Sequence, residues 1–351
     1  MVVDCHVHDR DEEESHKETI KHALEVARDS GVSGYFAMPN TKRPVLSRQR
    51  VIERLELARN AGVPEVFYGV YIGLTDDPEQ VKEAVATYRE FYPQVVGFKL
   101  YAGHSVGRLG VIGFQKQVVP YSVLAQEGWD GVLAVHPEKE EEMVPKAWNS
   151  LVPISHCLAR PEICEIESVR DQIAIAETTR FKGKLHMAHI SSPGAVDLVV
   201  EARNRGVDIS SGVCPHHFMY DWTRMYGEDG LLFKMNPALR KPGDPMILLE
   251  YLRTGKIDWV ETDHAPHSLE EKTSHPFMSG VTALPWWMMF VEYLRQHNFT
   301  QSQIEDVTHN NVARRFGIDI PKNKLVLRDR RGDYPFNHWK NIEQQLGWKG
   351  V

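Results

Sequence analysis

The sequence predicts a single (β/α)₈ barrel, and two observations support that prediction. Short apolar stretches alternate with longer amphipathic ones, which is typical of parallel strands joined by right-handed helical crossovers. Polar residues also recur where the strand-like stretches end, and a barrel brings all eight C-terminal strand ends together at one face. A doubly wound open sheet fits the alternation equally well, but it would spread those residues along a crevice.

The first half of the chain contains four predicted strands. Their sequences are MVVDCHVH (1–8), SGYFAMPN (33–40), VFYGVYIG (66–73) and VVGFKLYAG (95–103). Helices are expected over 14–31, over 47–62 and after Asp77. Ser47 is a typical N-cap, and Gly31 and Gly62 are typical of helix ends.

The second half contains the other four strands and a tail. The strand sequences are GVLAVHPE (131–138), GKLHMAHIS (183–191), VDISSGVCPHH (207–217) and IDWVETDHAPH (257–267). Helices are expected over 159–178, from Pro193 onward and near 244–254. Residues 1–318 are therefore assigned to the barrel, and 319–351 to a C-terminal tail that packs on it.

The composition excludes several classes of protein. The apolar content of 42% and the charged content of 25% are those of a soluble globular enzyme. A net charge of −7 argues against a nucleic-acid partner, and no apolar run is long enough to predict a transmembrane helix. The four cysteines are scattered without a C-x-x-C pair, so a cytoplasmic location is expected.

His6 and His8 form the first candidate site. Residues i and i+2 of a strand point to the same side, so both imidazoles project toward the end of the barrel and suit a metal ion. Alone, H-x-H is a weak signal, and a histidine-rich polar N-terminus would look the same. The same alternation places Asp4 in phase with the two histidines, and it turns Cys5 and Val7 toward the helices.

Four further polar residues end separate strands: Lys99, His136, His189 and Asp263. A lysine inside an apolar strand is rarely buried unless it is paired or functional, although it could extend out of the barrel end. Each histidine alone is more often structural than a metal ligand. Asp263 can bind a metal and exchange a proton with water, or it can cap the helix that follows.

Six motifs together resemble those of the amidohydrolase superfamily, and within it those of the dihydroorotases. They occur in the family's order and extend from residue 4 to about residue 272. The motifs are DCHVHDR (4–10), MPNT (38–41), FKLY (98–101), AHIS (188–191), CPHH (214–217) and TDHAPHSLEEK (262–272). Each motif alone is modest, but the combination is highly specific.

The resemblance implies a barrel that holds two zinc ions. The ligands would be His6, His8 and Asp263 for one zinc, His136 and His189 for the other, and a carboxylated Lys99 that bridges the two. It further implies that a metal-bridging hydroxide attacks the ring amide of dihydroorotate, with Asp263 as proton shuttle. In reverse, the enzyme would close N-carbamoyl-L-aspartate to L-dihydroorotate in pyrimidine biosynthesis. A homo-oligomer or association with aspartate transcarbamoylase would also be in keeping with the family.

The substrate residues follow from the same resemblance. Arg10, Asn40 and His267 would hold the substrate carboxylate, which a guanidinium can bind in a bidentate manner, and Asn236 would contact the ring. Hydantoinases and dihydropyrimidinases share the metal ligands but lack the arginine, so Arg10 favours a dihydroorotase. The sequence also leaves open an imidase, an allantoinase and an inactive barrel that serves as a scaffold, although none of the six ligands is missing.

Four features depart from the family's pattern. One is that the barrel is expected without the N-terminal β-sandwich domain that accompanies many of its members. Asp9 stands where an apolar residue is usual, and an acid beside Arg10 could pair with it and compete with the substrate. Glu261 replaces a small residue before TDHAPH. The usual glycine-rich segment reads MSGVTALP, which leaves backbone contacts near Ser279 and Gly280 open.

Overall fold

The computed structural model describes residues 2–320 and 326–350, and it confirms the predicted barrel. Eight strands form one sheet in which each strand pairs in parallel with the next along the chain. A parallel bridge between Val7 and His264 joins the first strand to the segment after the last one. The strands are β1 (Val2–Val7), β2 (Val32–Ala37), β3 (Phe67–Gly73), β4 (Val95–Tyr101), β5 (Val132–His136), β6 (Lys184–Met187), β7 (Ile209–Val213) and β8 (Trp259–Val260).

Helices follow most of the strands, as a (β/α)₈ barrel requires. They are α1 (Ile20–Asp29), α2 (Arg48–Asn60), α3 (Pro78–Phe91), α4 (Phe114–Gln126), α5 (Ser155–Ala159), α6 (Glu162–Thr179), α7 (Pro193–Asn204), α8 (Pro215–Met219), α9 (Asp244–Arg253), α10 (Leu269–Thr273), α11 (Trp287–Gln296), α12 (Gln301–Glu305), α13 (Asn311–Phe316) and α14 (Lys340–Leu346). Among the described residues, no helix has the length and apolar character that a membrane crossing needs.

Capping side chains set where several helices begin. Ser47 accepts a hydrogen bond from the backbone N–H of Arg50, and Asp77 accepts one from Glu79, so α2 and α3 begin as predicted. The first helix begins later than the predicted residue 14. Thr19 caps it by accepting from the N–H of His22, and residues 12–14 form a separate 3₁₀ turn.

The barrel has two apolar cores. The larger core lies between the strands and the surrounding helices. The smaller core fills the N-terminal half of the barrel interior, where Phe36 and Tyr71 meet Phe316 of α13 with ring centroids 4.9 and 6.2 Å apart. Because apolar side chains fill this end, the polar residues of the interior lie toward the opposite, C-terminal end.

A β-bulge in β1 changes which side chains enter the barrel. Between Asp4 and Val7 the pairing with β2 skips one residue, so Cys5 and His6 both point inward. The prediction that Cys5 faces the helices was therefore wrong. Asp4 points outward instead, and it accepts hydrogen bonds from Thr262 and from Trp287 Nε1 at 2.6 and 2.9 Å.

Residues 326–350 of the tail contact both sides of the barrel. Arg328 and Arg330 bind Asp29 at the end of α1, and the residues after them contact the C-terminal side. Tyr334 donates to Glu18 at 2.7 Å, and Trp339 Nε1 donates to the carbonyl of Thr282 at 2.8 Å. Tyr220 donates to the carbonyl of His338 at 2.9 Å. Residues 321–325 of the predicted tail lie outside the described residues.

Candidate active site

A cavity of about 300 Å³ opens at the C-terminal end of the barrel, and it contains most of the predicted site residues. Nine of the ten line it: His6, His8, Arg10, Asn40, His136, His189, Asn236, Asp263 and His267. The tenth, Lys99, lies buried next to Tyr101, which also lines the cavity. The fold therefore brings side chains from across the chain to a single cavity.

The first group of candidate ligands comprises His6, His8 and Asp263. Their ligand atoms all lie within 4.8 Å of one another. Nε2 of His8 is 2.7 Å from Oδ1 of Asp263, and Nε2 of His6 is 3.4 Å from the same oxygen. Two imidazoles and one carboxylate converging in this way form a common zinc-binding set.

The second group comprises His136, at the end of β5, and His189, two residues after β6. Nδ1 of His136 lies 3.0 Å from Nε2 of His189. The His189 ring is also next to the first group, with its centroid 4.9 Å from that of His6. Both His189 and Asp263 have positive φ angles, 41° and 50°, a conformation that is uncommon in non-glycine residues.

Lys99 is a buried lysine without a hydrogen-bonding partner among the described residues. Its Nζ lies 5.3 Å from the ring centroid of Tyr101, and the side chain is fully shielded from solvent. Burial lowers the pKa of Lys99 to about 8, which makes the neutral, nucleophilic amine accessible near physiological pH. A neutral amine is the form that reacts with CO₂, so the environment suits the predicted carboxylation.

Burial also sets the charge of the other ligands. It lowers the pKa of His6 to about 4 and that of His189 well below its usual range, so both rings are neutral and can offer a lone pair. For Asp263, burial acts to raise the pKa, but the contacts with His8, His6 and His216 outweigh it and lower the pKa overall. The first group therefore combines neutral nitrogen donors with an ionised carboxylate.

Residues behind the ligands orient the histidine rings. Asn40 Oδ1 lies 2.8 Å from Nδ1 of His8, which leaves Nε2 of that ring directed at Asp263. Glu138 Oε2 lies 2.9 Å from Nε2 of His136 and is itself paired with Arg160 at 2.6 Å. Such partners fix the tautomer of a metal-binding histidine. Asn40 was predicted as a substrate residue only, and Glu138 was not predicted, although its position two residues after His136 was a usable signal.

Arg10 reaches the cavity without being neutralised by its neighbour. The Arg10 side chain is buried, and its Nε has no hydrogen-bond partner among the described residues. Asp9 does not compete for it, because Asp9 forms a buried ion pair with Arg54 and accepts from Tyr35 Oη at 3.0 Å. Arg54 also donates to the carbonyl of Arg10 at 2.6 Å. This pair removes the possible competition between Asp9 and the substrate.

The remaining substrate candidates lie on the other walls of the cavity. Asn236 Oδ1 is 3.0 Å from Nε2 of His156, so the amide NH₂ group remains for a ligand. Burial, with the nearby charge of Arg10, lowers the pKa of His267 strongly and keeps its ring neutral. Sequence reasoning missed Lys234, which lines the cavity and donates to Ser279 Oγ at 2.8 Å.

Several other polar residues do not line this cavity. Arg240 donates to Ser191 Oγ and to a backbone carbonyl at 2.9 and 2.7 Å, which is a structural role. His186 stacks on Trp259 with ring centroids 4.4 Å apart, deeper in the barrel. His216 and His217 are buried beside each other behind the site, with centroids 4.3 Å apart.

The donor set fits a pair of metal ions. Three converging donor atoms form the first group, and a nitrogen of His136 lies next to a nitrogen of His189 in the second. Lys99 Nζ and His189 Nδ1 are buried polar atoms without hydrogen-bond partners among the described residues. An unsatisfied buried amine is costly unless another group completes its environment, and a bridging carbamate between metal ions would do so.

The chain is similar in sequence to known dihydroorotases. None of the protein-family models compared with the chain matches it. The chain is 30% identical over 320 residues to the dihydroorotase of Listeria welshimeri, covering 87% of the chain and 70% of the relative. It is 30% identical over 341 residues to that of Syntrophobacter fumaroxidans, covering 94% and 72%, and 29% identical over 344 residues to that of Macrococcus caseolyticus, covering 92% and 74%.

Solved structures show the same barrel. The L-hydantoinase (dihydropyrimidinase) of Arthrobacter aurescens matches with a TM-score of 0.80 and 22% identity, covering 94% of this chain and 74% of the other. The D-hydantoinase of a Thermus species matches with a TM-score of 0.71 and 22% identity, covering 90% and 70%. The fold and the relatives together show that this chain is a hydrolase that acts on cyclic amides. Within that class, the chain belongs to the dihydroorotase family of the amidohydrolase superfamily.

Proposed function

We propose that this protein is a zinc-dependent dihydroorotase that interconverts L-dihydroorotate and N-carbamoyl-L-aspartate. The observation that supports this substrate is the buried guanidinium of Arg10, which lines the cavity while the neighbouring carboxylate of Asp9 is paired elsewhere. Among the described residues Arg10 forms no ion pair, because Asp9 pairs with Arg54 and Glu14 pairs with Lys17. A buried cation of this kind favours an anionic ligand, and both proposed substrates carry a carboxylate.

Substrate binding would use the cavity walls around Arg10. The guanidinium would hold the carboxylate of the substrate in a bidentate manner, with His267 and the Asn40 amide beside it. The amide NH₂ group of Asn236 would donate to a ring carbonyl from another side of the cavity. These contacts orient the scissile ring amide toward the histidines and Asp263.

Two zinc ions would be held by the residues that converge at the end of the barrel. The proposed ligands are His6, His8 and Asp263 for one ion, His136 and His189 for the other, and carboxylated Lys99 between them. When bound, the ions polarise the amide carbonyl and lower the pKa of a water molecule.

Asp263 is the proposed proton carrier. Its Oδ1 lies at the centre of the first group, 2.7 Å from Nε2 of His8, and the residue lines the cavity. During hydrolysis the carboxylate would accept a proton from the attacking water as the C–O bond forms. It would return that proton to the ring nitrogen as the C–N bond breaks, and the reverse sequence closes the ring.

The test combines metal analysis with substrate comparison. Purified protein should contain about two metal ions per chain, and chelation should abolish activity that added zinc restores. Dihydroorotate should be turned over far faster than dihydrouracil, hydantoin or allantoin, because only its carboxylate engages Arg10. Comparable rates with dihydrouracil would contradict the assignment, and so would a protein that contains no metal. A cytoplasmic location and association with a transcarbamoylase or a second copy of the chain stay predictions.

A further inference from the structure

Glu261 is a buried carboxylate beneath the candidate metal ligands, at a position where the family's pattern has a small residue. It follows β8 directly and is fully shielded from solvent. Its Oε2 accepts hydrogen bonds from Cys5 Sγ and His186 Nε2, both at 3.1 Å, and from Trp259 Nε1 at 3.0 Å. Burying a carboxylate is costly unless donors surround it, and these donors come from three different strands.

The other oxygen of Glu261 faces the ligands of both proposed ions. Oε1 accepts from the backbone N–H of His189 at 2.5 Å, and it lies 3.7 Å from Nδ1 of His6. His6 directs its other nitrogen, Nε2, at Asp263. An anion next to Nδ1 favours the tautomer that carries its proton there, which leaves the Nε2 lone pair free for a metal.

The bond to His189 acts on the backbone. That residue has a φ of 41°, a left-handed conformation that costs free energy in a non-glycine residue unless contacts hold it. The short hydrogen bond to Glu261 is such a contact. Because it holds the backbone of His189, it also fixes the direction in which the imidazole projects.

The neighbouring strand accommodates this carboxylate. A Cβ atom at Gly212 of β7 would lie 2.5 Å from the carboxyl carbon of Glu261, so only glycine leaves room for it. The other two histidine ligands have separate partners. Asn40 contacts His8, and Glu138 contacts His136. Glu261 thus contacts the two ligands that these residues do not reach.

We propose that Glu261 is a positioning residue that holds His6 and His189, one ligand from each proposed metal ion, in their metal-binding geometry. The proposal rests on the metal centre of the proposed function. It distinguishes Glu261 from Asn40 and Glu138, each of which contacts a ligand of one ion only.

The experiment measures zinc release from the loaded protein to a chelator, together with kcat and KM for dihydroorotate. Glu261→Gln replaces one carboxylate oxygen by an NH₂ group, which cannot accept a hydrogen bond. This group would face either the N–H and S–H donors or His6, so both ions should leave about 10- to 100-fold faster than from the wild type. With excess zinc, kcat should recover in part, and KM should stay within about twofold because no substrate contact is lost.

A matched control is Glu165→Gln. Glu165 is equally buried and accepts from Ser191 and Ser192, but it contacts no proposed ligand side chain. Loss of a buried carboxylate should lower thermal stability in both variants, whereas only the change at Glu261 should accelerate zinc release. If Glu261→Gln does not fold, Gly212→Ala carries the test, since it displaces the same carboxylate without removing its charge.

The outcomes separate the two proposals. Faster release of both ions from Glu261→Gln or Gly212→Ala supports the positioning role. Folded variants that release zinc at the wild-type rate overturn it and leave Glu261 as a structural residue. A wild-type chain that binds no zinc would instead refute the proposed metal centre itself.

Discussion

The two groups of candidate metal ligands differ in what they can hold without modification. His6, His8 and Asp263 combine two neutral nitrogens with a carboxylate, and their donor atoms lie within 4.8 Å of one another. His136 and His189 contact each other at 3.0 Å but offer only two imidazole nitrogens. A catalytic zinc site usually has three protein ligands, so the second group needs a further donor, which a carboxylated Lys99 would supply, whereas the first group already has three. We therefore expect binding of the second ion to depend on carboxylation of Lys99, and we call His136 and His189 the conditional group.

Asp263→Ala should have the largest effect, because it removes a proposed metal ligand of the first group and the proposed proton carrier at once. We expect kcat to fall by about three orders of magnitude and zinc content to decrease. Steady-state kinetics and metal analysis of the purified variant would measure both. Asp258→Asn is the control, since Asp258 pairs with Arg203 at 2.7 Å outside the cavity and should retain both properties.

Lys99→Met should affect the conditional group selectively. The variant cannot form a carbamate, so zinc content should drop from about two ions to about one per chain, while kcat falls by about two orders of magnitude. Methionine has a similar length and is tolerated in a buried position, which limits the structural cost. A Lys99→Met protein that still binds two ions would show that the second group needs no bridging carbamate.

Arg10→Met should leave both groups of ligands intact. Arg10 contacts neither group through a hydrogen bond, and its proposed partner is the substrate carboxylate. Loss of a charged hydrogen-bonding interaction costs about 1.5–3 kcal/mol, so KM for dihydroorotate should rise about 10- to 100-fold with zinc content unchanged. An unchanged KM would place the substrate carboxylate elsewhere in the cavity.

The positions of the two groups of candidate ligands could be predicted in part from the sequence. Hydrophobic alternation predicted eight strands in the right order, and the i, i+2 spacing placed His6 and His8 on one side of β1. Lys99 and His136 were predicted to approach the same face of the barrel, because both lie toward the C-terminal ends of predicted strands. These features are local, or they follow from the symmetry of a closed parallel sheet.

Other features depended on contacts that no local pattern encodes. The bulge in β1 turns Cys5 inward, and the strict alternation of side chains could not anticipate an extra residue in the pairing. The partner of Asp9 is Arg54, which lies one helix and one strand further along the chain. The sequence shows Glu261 only as a departure from a motif, because its role depends on Cys5 and Gly212, which the fold brings around it.

Glu138→Gln offers the finest test of the difference between the two groups. Glu138 accepts from His136 and pairs with Arg160, but it contacts neither His6 nor His8. Glutamine can still accept from the imidazole, so we expect only the second ion to be released faster, by about tenfold. Chelator-driven release should then show one accelerated phase, and the neighbouring surface residue Glu141 provides the control substitution, Glu141→Gln. Acceleration of both phases would mean that the two groups share their supporting contacts, and that the first group is not complete on its own.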